Sequence, residues 1–262
     1  MNIDLSGLRA LVTGSTSGIG FATAARLAGC GAEVVVNGRT AERVQAAIAQ
    51  LQAQGGRFAA APGDISTATG ADEVIEAAGE IDILVNNAAW IDFKPAFEIP
   101  DEDWVRSFEV NVLAGVRLTR HYGPLMRDKG WGRIVFISSE SGIQIPTEMI
   151  HYGFSKAADL AVSRGFAQAL KGTGVTVNAV LPGPTRTEAL AAYITTQANR
   201  QGVTESKVEA QFFANARPTT ILNRFTTPEE VANVVAFVCS REASAITGSP
   251  VRVDGGVVAA IT

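Results

Sequence analysis

Cysteine and histidine are both scarce in this chain of 262 residues, with two of each. Cys30 and Cys239 cannot build a disulfide framework or a cysteine-based zinc site. His121 and His151 alone are too few for a multi-histidine centre, so no metal is expected. Positive charge is not in surplus either. Lys and Arg number 22 against 26 Asp and Glu, a formal net charge of -4, and no Lys/Arg cluster offers the surface that non-specific nucleic-acid binding requires. No apolar run approaches the ~18 residues of a membrane span. The start, Met1-Asn2-Ile3-Asp4, lacks the basic n-region and long apolar stretch of a signal peptide. A cytoplasmic protein with neither nucleic-acid nor membrane partners is expected. A Pro/Ser-rich linker, a charge block and an internal repeat are also missing, which leaves residues 1–262 as one domain.

What is present is an apolar fraction of 47% and 26 glycines, more than the ~7% of average usage. Short apolar, β-branched runs alternate with longer Ala-rich segments of helical length. The runs are Leu11-Val12, Val34 to Val36, Phe58 to Ala60, Ile81 to Val85, Ile134 to Ile137, Val175 to Leu181 and Val251 to Val253. Near-continuous apolar strands alternating with helices predict an α/β fold: a Rossmann-type, doubly wound, parallel seven-stranded sheet with helices on both faces. Residues 100–129 and 149–172 read as two long helices. The stretch 185–226 is longer than a compact domain spends on a connection and is expected to form a substrate lid.

The first run leads into Thr13-Gly14-Ser15-Thr16-Ser17-Gly18-Ile19-Gly20, which opens the first helix. Glycines there permit a sharp turn, let backbone amides approach a pyrophosphate, and let the helix pack against the sheet with its N-terminus facing the anion. The strand–turn–helix context makes this a dinucleotide site. The spacing Gly-x-x-x-Gly-x-Gly resembles the short-chain dehydrogenase/reductase family in its single-domain branch, that of 3-oxoacyl-thioester-reductase-like oxidoreductases. Further segments match in order: Asp64-Ile65, Asn86-Asn87-Ala88-Ala89, Asn111, Ser139, Tyr152-x-x-x-Lys156, Asn178 to Pro182-Gly183, and Val253-Asp254-Gly255-Gly256. The resemblance covers almost the whole chain.

The resemblance implies a catalytic set of Asn111, Ser139, Tyr152 and Lys156. Tyr152 and Lys156 are four apart and therefore share a helix face. A free phenol titrates near 10, and lowering that by ~3 pH units takes about 4 kcal/mol; one nearby cation supplies one to three units. Lys156 is expected to do much of this, with the nicotinamide ring adding the rest. Ser139, thirteen residues before the tyrosine, is implied to hold the substrate oxygen, and on sequence alone Ser138 and Ser141 remain alternatives. Asn111 is implied to hold a water linking Lys156 to solvent.

The same resemblance assigns the cofactor contacts to Gly14, Ser15, Thr16, Ser17, Gly18, Ile19, Gly20, Asp64, Ile65, Asn87, Ala88, Tyr152, Lys156, Pro182, Gly183, Thr185 and Thr187. After the second strand, Gly38 stands where NAD enzymes commonly carry an acid. Arg39 follows, suited to pair a 2′-phosphate through its planar fork. NADP(H) is therefore expected, with NAD(H) as the alternative. Ala89, Trp90, Glu140, Gln144 and Ile145 flank the chemistry and are expected to line a pocket for a small carbonyl or alcohol substrate. Oxoacyl-thioester, sugar or polyol, and small-ketone substrates all remain compatible.

A Ser-His-Asp hydrolase is set aside. Ser139 is not in a Gly-x-Ser-x-Gly elbow, and His151, beside the tyrosine, is expected to be a partly exposed helix residue. A non-catalytic NAD(P)-binding sensor is the alternative, and an intact Ser-Tyr-Lys set argues against it. Gly115 and Gly165, inside the two long helices at a cost of about 1 kcal/mol each, suggest close helix approach, with packing inside the chain alone as the alternative. The family commonly assembles through these helices, so a homotetramer is expected.

Overall fold

A computed structural model describes residues 3–261. Seven strands pair in parallel in the order β3-β2-β1-β4-β5-β6-β7. In chain order they are β1 Arg9–Val12, β2 Glu33–Gly38, β3 Arg57–Pro62, β4 Ile83–Asn86, β5 Gly132–Ile137, β6 Val175–Pro182 and β7 Pro250–Val253. The order reverses between β1 and β4, which leaves a crevice at the carboxyl ends of those two strands. In register, Val12 lies beside Val36 of β2 and Val85 of β4, so the turns leaving β1 and β4 start at one level.

Nine α-helices among the described residues cover the sheet: α1 Gly18–Gly29, α2 Ala41–Gln52, α3 Ala68–Ala78, α4 Asp101–Ser107, α5 Ala114–Lys129, α6 Ile150–Ala169, α7 Glu188–Gln201, α8 Glu205–Asn215 and α9 Pro228–Val238. Strand side chains alternate between two cores, as a period of two dictates. Val12, Val34 and Val36 pack with α1, α2 and α9, while Leu11, Val35, Leu84 and Phe136 pack with α3, α5 and the end of α6. A third, smaller cluster joins Ile194 of α7 to Val208 and Phe213 of α8 and to Phe225. Both the predicted class of fold and the seven predicted strands are present.

Three local expectations are corrected. The segment 100–129 is not one regular helix, because a π-helical stretch, Phe108–Leu113, separates α4 from α5. Such a widened turn is a frequent mark of a functional site, and it carries Asn111. Gly115 does not serve a helix–helix contact. A Cβ there would sit 2.8 Å from the Phe136 ring, so its role is to let α5 lie close on the sheet, while Gly165 is exposed and meets nothing within 4 Å. His151 is fully buried rather than partly exposed. It packs between Trp90 and Trp104, tilted to the first and edge-on to the second, with ring centroids 5.4 and 6.2 Å away. Neither ring nitrogen has a partner among the described residues, and burial holds the imidazole below its ordinary pKa.

No described helix is long and apolar enough to cross a membrane, and no cluster of His, Cys, Asp or Glu among the described residues could hold a metal ion.

Candidate active site

Threonine closes the N-termini of α2, α3, α7, α8 and α9: Thr40, Thr67, Thr187, Thr204 and Thr227 each accept a hydrogen bond from a first-turn amide. Helix α1 differs. Its cap, Ser17, makes no side-chain capping bond, so its first-turn amides have no side-chain cap of their own. The Gly18 amide donates to the Glu188 carboxylate at 3.1 Å, and Thr187 packs over Gly18.

The turn itself is built by neighbours. Gly14 and Gly18 have positive φ of 60° and 57°, a conformation open chiefly to glycine. The Gly14 amide donates to Asn37 Oδ1 at 3.1 Å, and Asn37 Nδ2 donates to the carbonyls of Ala61 and Gly63. Ser15 Oγ donates to the Val12 carbonyl and accepts from the Asn37 amide, so Ser15 is a structural member of the turn. Thr13 Oγ1 accepts from the amides of Asn87 and Ala88 at 2.8 and 3.0 Å, and Asn87 Nδ2 donates to the carbonyls of Thr13 and Gly14. A Cβ on Gly20 would lie 2.5 Å from both Asn87 Nδ2 and the Gly14 carbonyl. Only glycine fits there, and the resulting tight cradle of backbone amides suits a dinucleotide's pyrophosphate. Ile19 packs against the α1 core, and Thr16 touches Gly38, where a Cβ would lie 2.5 Å from the Thr16 methyl. Arg39 is exposed and makes no ion pair among the described residues.

Asp64 and Ile65 follow β3. Ile65 is buried, and Asp64 is exposed and accepts from the amide and hydroxyl of Ser66. At the other end of the crevice, Gly183 follows Pro182 and its amide donates to Val253. Thr185 Oγ1 donates to the Gly183 carbonyl and lies 3.0 Å from Thr226 Oγ1. A β-bridge joins Thr185 to Thr226, so the excursion carrying α7 and α8 begins and ends on one pair of residues.

Ser139, Tyr152 and Lys156 meet at the carboxyl end of β5. Ser139 and Tyr152 are each 8% exposed and Lys156 2%. Ser138 is engaged elsewhere: its hydroxyl donates to the Lys156 carbonyl at 2.7 Å. Ser141 offers its amide to Ser139 Oγ. Of the three serines, Ser139 is the one that helps to lower the Tyr152 pKa. Lys156 Nζ lies 5.8 Å from the centre of the Tyr152 ring and donates to the Ile137 carbonyl at 2.8 Å and to Asp159 Oδ2 at 3.1 Å. Asn111 uses its side chain as a clamp. Its Oδ1 accepts from the Trp90 amide, and its Nδ2 donates to the Trp90 carbonyl and to Ser155 Oγ.

The electrostatics differ from the lowered phenol expected from a Tyr-Lys pair alone. Burial raises the Tyr152 pKa; Lys156 and Ser139 pull it down, Glu140 and Asp159 push it back up, and the net direction is upward. Burial works to lower the Lys156 pKa, but the charges of Asp159 and Tyr152 outweigh it and the ammonium is strengthened.

Among the expected pocket residues, Ala89 and Ile145 are exposed and Gln144 donates to Thr219 Oγ1 at 3.3 Å. Trp90 lies under the Arg106 guanidinium, 4.7 Å from the ring centre. Glu140 is buried and accepts from Arg217 Nε at 2.8 Å. This ion pair ties the segment after Ser139 to the chain following α8. Three contributors escaped the sequence reading, Asn37, Arg217 and Asp159, and Thr13 figures in it only as the start of the turn. Asn37 and Asp159 leave a trace, as polar residues within an apolar strand and an Ala-rich helix. Arg217 leaves none, lying 77 residues from its partner.

A parallel sheet with a phosphate-type turn at its switch point is a Rossmann-type fold, and a Ser/Tyr/Lys cluster lies at the carboxyl end of β5, with β4 between it and β1; the relatives below show the chain to be an oxidoreductase. A family model described as enoyl-(acyl carrier protein) reductase matches residues 14–258, and the chain belongs to the short-chain dehydrogenase/reductase family. It is 43% identical over 263 residues to an uncharacterised oxidoreductase of Bacillus subtilis, YvaG, covering 100% of both chains. It is 32% identical to D-beta-hydroxybutyrate dehydrogenase of Cupriavidus necator, over 97% of this chain and 99% of that one. The solved structure of L-sorbose reductase from Gluconobacter frateurii, complexed with NADPH and L-sorbose, superposes with a TM-score of 0.93 at 32% identity and 100% coverage of both chains.

Proposed function

We propose that this oxidoreductase interconverts a carbonyl compound and a secondary alcohol with NADP(H), using Ser139, Tyr152 and Lys156. The observation that carries this reading is the burial of those three side chains together at the carboxyl end of β5, with only β4 between that strand and the one leading into the glycine turn. Ser139 Oγ holds the substrate oxygen, and Tyr152 exchanges a proton with that oxygen. Lys156 keeps a positive charge beside the phenol, and the clamp made by Asn111 fixes the backbone that leads to Trp90. The Gly14–Gly20 turn, Asn87, Ala88, Asp64, Ile65 and the Pro182–Thr187 segment would hold the dinucleotide, which when bound supplies or takes up the hydride. The chain from Thr185 to Thr226 acts as the lid over the substrate and excludes water.

Two features favour NADP(H). The space beside Gly38 is filled by the Thr16 methyl, which leaves little room for a carboxylate side chain, and Arg39 is exposed next to it. The L-sorbose reductase relative binds NADPH. The named substrates of the relatives, a sugar and a short hydroxy acid, point to small hydroxylated molecules as the first compounds to try. Exposed Val105, Phe108, Leu125 and Phe154 on the α4–α6 side support a homotetramer, which light scattering on the purified protein would read directly.

The test follows nicotinamide absorbance over ketoses, sugar acids, hydroxy acids, oxoacyl thioesters and simple ketones, with wild type and Tyr152→Phe. Turnover should fall by about 10²-fold or more in the variant, the scale of a lost general acid. A substrate turned over equally well by Tyr152→Phe would refute the catalytic assignment.

A further inference from the structure

Lys156 has a partner that a Ser-Tyr-Lys proton transfer does not require. Asp159 stands three residues further along α6, and the two side chains are each 2% exposed. Its Oδ2 takes one of the three ammonium protons while the Ile137 carbonyl takes another. Its Oδ1 is buried without a hydrogen-bond partner among the described residues. A buried ion pair of this kind is seldom a net gain in stability over apolar residues of similar size, and an unpaired carboxylate oxygen adds to the cost. The neighbouring positions Ala157, Ala158, Leu160 and Ala161 are small or apolar, so packing alone does not call for a carboxylate here.

We propose that Asp159 is a positioning residue that anchors Lys156 and, through its negative charge, offsets part of the ammonium's pull on the Tyr152 phenol, favouring the protonated form from which carbonyl reduction starts. The proposal rests on the catalytic reading of Tyr152 and Lys156 given above. In that direction Tyr152 must begin protonated. Its O–H bond breaks and the proton passes to the substrate oxygen, while a reduced nicotinamide, when bound, would supply the hydride that the carbonyl carbon takes up. The phenolate left behind regains its proton from solvent. A lysine without a counter-ion would favour the phenolate and so poise Tyr152 as a base for alcohol oxidation. Asp159 cancels part of that pull.

The charged and titratable groups around the phenol are few. Lys156 and Asp159 face it from α6, and Glu140 faces it from the 3-10 turn after Ser139. Strands β5 and β6, against which α6 packs, bring no acid or base to this end; Glu109 of the π-helical segment is exposed, and it, the charged residues of α4, Glu148 and the adjacent His151 are not among the groups that act on the phenol. On Asp159 itself only Lys156 acts, opposing a larger effect of burial that lifts the carboxyl to about 6. Asp159 is thus mostly ionised at pH 7 and mostly neutral at pH 5, so its restraint on Tyr152 relaxes in acid.

The test reads the phenol directly. The chain has three tyrosines, so ultraviolet titration of phenolate in the cofactor-free protein, with Tyr152→Phe as the blank, isolates Tyr152. In wild type its midpoint should lie above the ordinary value near 10; ionisation near neutral pH would overturn the proposal without any variant. In Asp159→Asn, which keeps an oxygen for Nζ but removes the charge, the midpoint should fall by about one unit. The pH limb of kcat/KM that reports Tyr152 should move the same way. Asp159→Leu, which also removes the anchor, should lower kcat further than Asp159→Asn does. A phenol midpoint and pH limb unmoved in Asp159→Asn, with Tyr152→Phe inactive, would overturn the role of Asp159 and leave the catalytic set standing. Full turnover by Tyr152→Phe would instead remove the reading on which the proposal rests.

Discussion

Replacing Arg217 by Met should destabilise the protein strongly and in a pH-dependent way. Arg217 is 7% exposed and Glu140 3%, and the Nε–Oε1 distance of 2.8 Å makes this a buried, charge-assisted bond. Glu140 Oε2 has no other partner. Removing the guanidinium therefore leaves a carboxylate buried and unpaired, a change that costs about 3–5 kcal/mol. Arg217 also reaches Glu148 at 3.7 Å, but that carboxylate is partly exposed and contributes little. At about 2–4 °C per kcal/mol for a chain of this size, the melting temperature should drop by roughly 6–20 °C near neutral pH.

The sign of the pH dependence follows from Glu140. Burial raises its pKa, Arg217 pulls it back down, and the net direction is still upward. A carboxyl raised on folding holds its proton more tightly in the native state, so its contribution to stability is present below the unfolded pKa and is lost as pH rises through the folded one. Without Arg217 the folded pKa climbs further, and each pH unit inside the widened window removes up to about 1.4 kcal/mol. The gap between wild type and Arg217→Met should thus be small near pH 5 and large near pH 8. Thermal melts of both proteins across that range check it, with Glu140→Gln/Arg217→Met expected to recover part of the loss and to flatten the pH dependence. A gap independent of pH, or a loss below about 1 kcal/mol at pH 8, would refute the account of this pair as a buried, mutually dependent one.

Arg39→Glu should weaken NADPH binding by about 10-fold or more, the value of a lost charge-assisted bond, and change NADH binding little; equal losses by fluorescence titration would remove Arg39 from 2′-phosphate recognition. Thr227→Ala dismantles the capping box in which Thr227 Oγ1 accepts from the Glu230 amide and Glu230 accepts from the Thr227 amide. It should cost about 1 kcal/mol, read as a fall of about 2–4 °C in the melting temperature, with nucleotide binding unchanged.

The parts of this structure legible in the sequence are those whose physics is local. A run such as Val34-Val35-Val36 declares a strand buried on both faces, and Gly14, Gly18 and Gly20 declare a turn because their backbone demands act within a few residues. The Tyr152–Lys156 spacing likewise fixes a shared helix face. The Glu140–Arg217 pair is different in kind. Its partners come from the 3-10 turn after β5 and from the chain after α8, and only the folded path of the Thr185–Thr226 excursion brings them together. His151 misled for a related reason. A histidine at the start of a helix is ordinarily half-exposed, but here Trp90 and Trp104 close over it from two other segments. Asp159 lies between these cases. Its position three residues after Lys156 was visible, yet its consequence depends on burial, which turns a weak surface pair into a charge that acts on Tyr152. Spacing identifies which groups share a face; the dielectric around them decides which protonation state that face holds, and the protonated phenol follows from the second of these.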